Sequence, residues 1–205
     1  GSPSPAGMKV FMAEIKSICV FCGSSSAVAE THKDAARRFG AILAENGVRL
    51  IYGGGRVGLM GLVADGAAQA GGEVIGVIPD FLERIEVGNR EISELVVTDS
   101  MHARKAKMYE LADAFVTLPG GLGSLDETFE VITWTQLKLS AKPFVVVNID
   151  GYWQPLLALI DHVIAAGFAR PANRDILQVV DDVEAVLPAL RAIERAPDID
   201  QRQRI

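Results

Sequence analysis

Short, nearly unbroken apolar runs alternate with longer stretches of helical periodicity along this chain. Lys16 to Cys22, Val48 to Tyr52, Val74 to Ile78, Leu95 to Thr98, Ala114 to Leu118 and Pro143 to Asn148 read as strands, with Leu177 to Val180 as a possible edge strand. Between them, Val28 to Asn46 is amphipathic and closed by Gly47, and a small-residue helix follows residues 53–61 to about Ala70. Ser100 to Ala112 has a plausible N-cap in Ser100, Tyr152 to Ala166 is closed by Gly167, and Val183 to Arg195 is the last helix. Phe81 to Glu94 has weak periodicity and reads as a loop with a short helix, long enough to be a flap. Continuous apolar strands separated by helices imply a parallel sheet covered on both faces, a Rossmann-like doubly wound α/β domain. One domain over 16–195 is expected, with an expression remnant and flexible N-terminus at 1–15 and a flexible tail at 196–205.

In such sheets ligands bind beyond the carboxyl ends of the strands, near the switch in strand order. Gly23 to Ser26, Gly53 to Gly58, Asp99 to Lys105 and Gly120 to Glu127 all follow such ends and are expected to converge on one crevice. The stretch from Ala114 to Trp134 organises them: a strand, a turn at Pro119 to Gly123, then helical periodicity from Ser124. Gly120, Gly121 and Gly123 leave backbone N–H groups uncovered beside a helix N-terminus, which suits phosphate. Asp126, Glu127 and Glu130 follow, the last two on one helix face. Ser124 and Glu127 also spell S-x-x-E, a capping box that would only satisfy backbone donors.

Composition narrows the partners. The 205 residues are 49% hydrophobic, the net charge is -6 with a pI near 5.1, and no dense basic run offers a footprint for nucleic acid. No apolar run approaches a membrane span, and no signal peptide is evident, so a cytoplasmic location is expected. Cys19 and Cys22 lie at a strand end with no further ligands spaced for zinc, and read as buried reduced thiols.

Other motifs have competing readings. Gly53, Gly55 and Gly58 match the dinucleotide fingerprint, with Asp80 as a possible ribose acid, although the fingerprint normally lies on the first strand. Arg104 and Lys105 belong either to a solvated basic helix or to an anion site, where arginine offers a planar fork that lysine cannot copy. Thr31 to Lys33 suggests a pyridoxal phosphate lysine only faintly and reads as helix surface. Ser24 to Ser26 has no nucleophile elbow and fits a hydroxyl lining for ribose or phosphate.

YGGGRVGLMG at 52–61, SMHARKAKM at 100–108 and PGGLGSLDE at 119–127, together with FCGSS, GVIP, ITW and the DGYW segment, resemble the LONELY GUY proteins. These are cytokinin riboside 5'-monophosphate phosphoribohydrolases, formerly labelled putative lysine decarboxylases. The resemblance implies Arg104 and Glu127 as the catalytic pair. For purine nucleoside 5'-monophosphate binding it implies Gly54, Gly55, Met101, Lys105, Gly120, Gly121, Gly123, Ser124 and Glu130. Ser124 stands where threonine is usual, so the hydroxyl is kept. The resemblance also implies a homodimer with active sites near the interface and no metal or redox cofactor. The other reading is a non-catalytic nucleotide or molybdenum-cofactor carrier of the same fold, which would make no use of Arg104 and Glu127.

Overall fold

A computed structural model describes residues 14–86, 89 and 91–194. All but the last two residues of the N-terminal segment expected at 1–15, and the whole tail at 196–205, lie outside them. Seven strands form one parallel sheet: β1 (Ser17–Phe21), β2 (Arg49–Tyr52), β3 (Val74–Pro79), β4 (Glu94–Thr98), β5 (Ala114–Thr117), β6 (Phe144–Val147) and β7 (Gln178–Val180). The crossovers carry α1 (Glu30–Glu45), α2 (Gly58–Gln69), α3 (Asp80–Glu86), α4 (Met101–Leu111), α5 (Leu122–Gln136) and α6 (Gln154–Ala165), and α7 (Val186–Glu194) follows β7.

The alternation along β1 shows why the strands read as unbroken apolar runs. Ile18 and Val20 enter one core with Phe39 of α1, Val63 of α2 and Leu190 of α7, while Cys19 and Phe21 enter the other with Met108 of α4, Val131 of α5 and Leu157 of α6. With both faces covered, no position in the strand needs a polar side chain. Cys22 joins the first core and Cys19 the second, and both are free thiols.

The sheet order is β4-β3-β2-β1-β5-β6-β7. Chain order therefore runs outward in both directions from the β1–β5 pair, and the switch point lies at the carboxyl ends of those two strands. The backbones there are in contact: the Gly23 amide donates to the Pro119 carbonyl at 3.0 Å, and a Cβ on Gly23 would lie 3.3 Å from the Gly120 Cα.

Most element boundaries differ from the sequence reading by a residue or two, and three of them bear on the site or have a clear local cause. β3 runs one residue past Ile78, to Pro79, which is paired with Thr98; having no amide to donate, proline is tolerated at a strand terminus. α1 begins at Glu30 rather than Val28. α5 begins at Leu122, two residues earlier than the periodicity suggested, with Gly121 as N-cap.

Candidate active site

The start of α5 decides between the two readings of Ser124. Because Gly121 is the N-cap, Ser124 stands in the first helical turn and Glu127 in the second, so the S-x-x-E capping box does not form. The amides of Leu122, Gly123 and Ser124 precede the first intrahelical donor, Leu125, whose N–H reaches the Gly121 carbonyl at 3.0 Å. A Cβ on Gly121 or Gly123 would meet nothing within 4 Å, whereas one on Gly120 would fall 2.1 Å from Ser124 Oγ. The loop is thus open on its cavity side and closed on its inner side. Buried Thr117 and Thr128 share a hydroxyl hydrogen bond of 2.8 Å, which fixes α5 against β5 and sets the direction of the neighbouring Glu127.

A cavity of about 450 Å³ lies at the switch point, within the range of small-molecule sites. All four predicted stretches reach it. Gly120, Gly121, Gly123, Ser124, Asp126 and Glu127 form one wall, Gly23 to Ser25 another, and Gly53, Met101 and Arg104 a third. From the Phe81–Glu94 segment only Leu82 is among its lining residues, and residues 87, 88 and 90 lie outside those described.

Arg104 is 6% exposed, which excludes the solvated-helix reading. Its Nε donates to the Val77 carbonyl and its Nη2 to the Gly53 carbonyl, each at 2.9 Å. Both bonds spend the guanidinium on backbone, so it is held rigid, and Nη1 is left 3.8 Å from Glu127 Oε1. Burial pushes the Glu127 carboxyl up to about 7, against the opposing pull of Arg104, with Asp126 adding to the rise and Lys105 countering it. A carboxyl that titrates near neutrality, beside a fixed cation in a cleft, is suited to acid–base or charge-stabilising work.

The remaining predicted residues divide. Met101 lines the cavity, but Gly54 and Gly55 do not. Gly54 has φ +77° and supports the turn, its carbonyl accepting from the Asn89 amide at 2.9 Å, while the Gly55 carbonyl accepts from the buried Tyr52 hydroxyl at 2.9 Å. Lys105 and Glu130 are also off the main cavity. Lys105 Nζ lies 2.9 Å from Asp126 and 2.6 Å from Glu130, and both Lys105 and Glu130 line a smaller cleft between α4 and α5 that touches Glu127 from behind. The physical cause is the helical rotation of about 100° per residue: Arg104 turns inward to the sheet, and Lys105 turns across to α5.

The dinucleotide reading fails at the start of α2. Gly58 has φ +67°, and a Cβ there would lie 2.3 Å from the Ser24 carbonyl carbon, while the Met60 amide donates to the Gly23 carbonyl at 3.2 Å. The turn after β1 occupies the helix N-terminus that a pyrophosphate would need.

Among the lining residues outside the predicted set are two aromatic rings that face each other. His32, in the segment read as surface, faces the cavity from the first turn of α1, and Tyr152 closes the same end. Their rings meet edge to face at 5.4 Å, and the Tyr152 hydroxyl donates to the Gly120 carbonyl. Residues 120 positions apart meet here, and no local pattern in the sequence marks the pair. Among the described residues, no three His, Cys, Asp or Glu side chains gather as a metal ion would require.

Comparison with known proteins places this chain in a family. A family model described as possible lysine decarboxylase matches residues 60–190. The cytokinin riboside 5'-monophosphate phosphoribohydrolase of Rhodococcoides fascians is 44% identical over 178 residues, covering 86% of this chain and 90% of that one. The Arabidopsis thaliana enzyme of that name, LOG7, is 42% identical over 194 residues, covering 95% and 88%. Among solved structures, the molybdenum cofactor binding protein of Rippkaea orientalis shares the fold with a TM-score of 0.68 at 22% identity, covering 88% and 98%. With the first two likenesses extending over most of both chains, the chain belongs to the LONELY GUY family.

Proposed function

We propose that the protein hydrolyses the N-glycosidic bond of cytokinin riboside 5'-monophosphates, AMP or both, releasing an adenine-type base and ribose 5-phosphate. The observation that carries this reading is Glu127, a largely buried carboxyl that shares one wall of the cavity with a glycine loop and its bare helix amides. The relatives' names give the substrate class, and the site supplies groups for both ends of it. The 5'-phosphate sits on the amides of 122–124 with the Ser124 hydroxyl, which fixes the ribose and lets remote binding energy orient the reacting carbon. The bond from C1' to the base nitrogen breaks, positive charge grows on the ribose, and the Glu127 carboxylate stabilises it where it develops. Water adds its hydroxyl to C1', and its proton ends on the departing base. Glu127 orients that water, and Arg104 holds Glu127 and the substrate in register.

Lys105 takes a role different from phosphate binding. Paired to Asp126 and Glu130, it ties α4 to α5 and so sets the distance between Arg104 and Glu127. Its positive charge also favours the Glu127 carboxylate, so Lys105→Met is expected to move the acidic limb of the pH–rate profile upward. An unmoved limb contradicts that coupling.

Exposed Leu122, Phe129, Leu137 and Leu139, along α5 and just beyond it, support a homodimer with its interface beside the site. Sedimentation is expected to give twice the chain mass. A cytoplasmic location fits a chain in which no described helix is long and apolar enough to cross a membrane.

The direct test is chromatography of the products from AMP and from isopentenyladenosine 5'-monophosphate. Equal amounts of free base and ribose 5-phosphate are expected, and the ratio of the two rates gives the preference. Tight nucleotide binding without base release contradicts hydrolysis and favours the carrier reading.

A further inference from the structure

The phosphate end of the cavity is short of positive charge. Among the described lining residues Arg104 is the one permanent cation, and it is committed to two backbone carbonyls and Glu127. Lys105, the cation expected there from the sequence, is turned away into its pairs with Asp126 and Glu130. A phosphate held by backbone amides and one hydroxyl alone would lack a nitrogen donor from a side chain.

His32 is placed to supply one. It stands in the first turn of α1, lines the cavity, and packs its ring edge to face on Tyr152, whose hydroxyl is bonded to Gly120 of the phosphate loop. The imidazole is therefore one ring away from the loop. Its Nδ1 is sealed from solvent and has no hydrogen-bond partner. A buried N–H without a partner is rarer and costlier than a bare lone pair, so the proton belongs on Nε2, which is then the ring's one N–H donor. The Tyr152 contact holds the ring in that orientation before any ligand arrives.

Resting on the hydrolase reading above, we propose that His32 is a phosphate-binding residue, donating from Nε2 to the substrate's 5'-phosphate and selecting nucleotides over nucleosides. Its role is in binding rather than bond breaking, which separates it from Glu127.

The test uses the full chain and two substitutions. His32→Phe keeps the ring against Tyr152 but loses the donor. His32→Gln restores an amide N–H near the position of Nε2. His32→Phe is expected to raise KM for AMP about tenfold or more, with kcat within about twofold of wild type, and His32→Gln to recover most of the loss. Calorimetry with ribose 5-phosphate is expected to show the same order, at unchanged Tm. Wild-type affinity for ribose 5-phosphate in His32→Phe overturns the proposal, as does a fall in kcat without a rise in KM, or a His32→Gln as weak as His32→Phe. If wild type releases no base, the hydrolase reading fails, and the ribose 5-phosphate affinities still decide the role of His32.

Discussion

Glu127→Gln is expected to lower base release by about a thousandfold while AMP still binds. Glutamine keeps the shape and leaves the glycine loop, Ser124 and Arg104 in place, so phosphate binding has no reason to fail. The substitution removes the negative charge that stabilises the ribosyl cation and orients water. The pH dependence follows from burial. The carboxyl titrates near 7, so wild-type kcat/KM is expected to rise from about pH 6 to 8 and level off once the carboxylate dominates. The same shift affects stability. The folded state binds this proton more tightly than the unfolded state, whose carboxyl titrates near 4.5, so the contribution to stability is full below that value and is lost as pH rises through 7. The loss amounts to at most about 3 kcal/mol. Thermal melts of wild type from pH 4 to pH 8 are expected to show a decline that Glu127→Gln lacks. Parallel declines in the two proteins would mean that Glu127 is not the group responsible.

Arg104→Lys is expected to cost about a hundredfold in kcat/KM and to lower stability by about 1–3 kcal/mol. The charge survives this change, but the geometry does not. One ammonium cannot donate to the Val77 and Gly53 carbonyls and also present a donor toward Glu127, as the guanidinium does through Nε, Nη2 and Nη1. At least one buried carbonyl then loses its partner, and the cation no longer sits at a fixed distance from the carboxylate. Steady-state kinetics beside a denaturant midpoint checks both effects. Activity and stability near wild type would show that charge alone suffices at position 104.

The sheet and the placing of the crevice were legible because parallel strands buried on both faces leave an unmistakable run of apolar residues, as in Ile18 to Phe21, where every residue is buried. Strand ends were therefore visible, and with them the four loops that meet at the switch point. The start of α5 was harder to read: Leu122 is 86% exposed and flanked by glycines, so it carries no helical signature although it begins the helix. Arg104 and Lys105 show the limit of a linear motif. They are adjacent in sequence and part of one family pattern, yet their side chains leave the helix about 100° apart and reach different neighbours. Gly54 and Gly55 belong to a glycine run beside the cavity without lining it, because their carbonyls are spent holding the turn. His32 lies in α1 and Tyr152 in the turn that follows β6, far apart in the sequence, and only the packing of α1 beside that turn brings them together.

The most direct measurement is base release from saturating AMP by wild type and by Glu127→Gln, with nucleotide binding measured on the same samples. Free base from wild type alone, at comparable AMP affinity in both proteins, is the result expected of a phosphoribohydrolase that works through Glu127. Equal release from the two proteins would remove Glu127 from the chemistry and contradict the account at its centre.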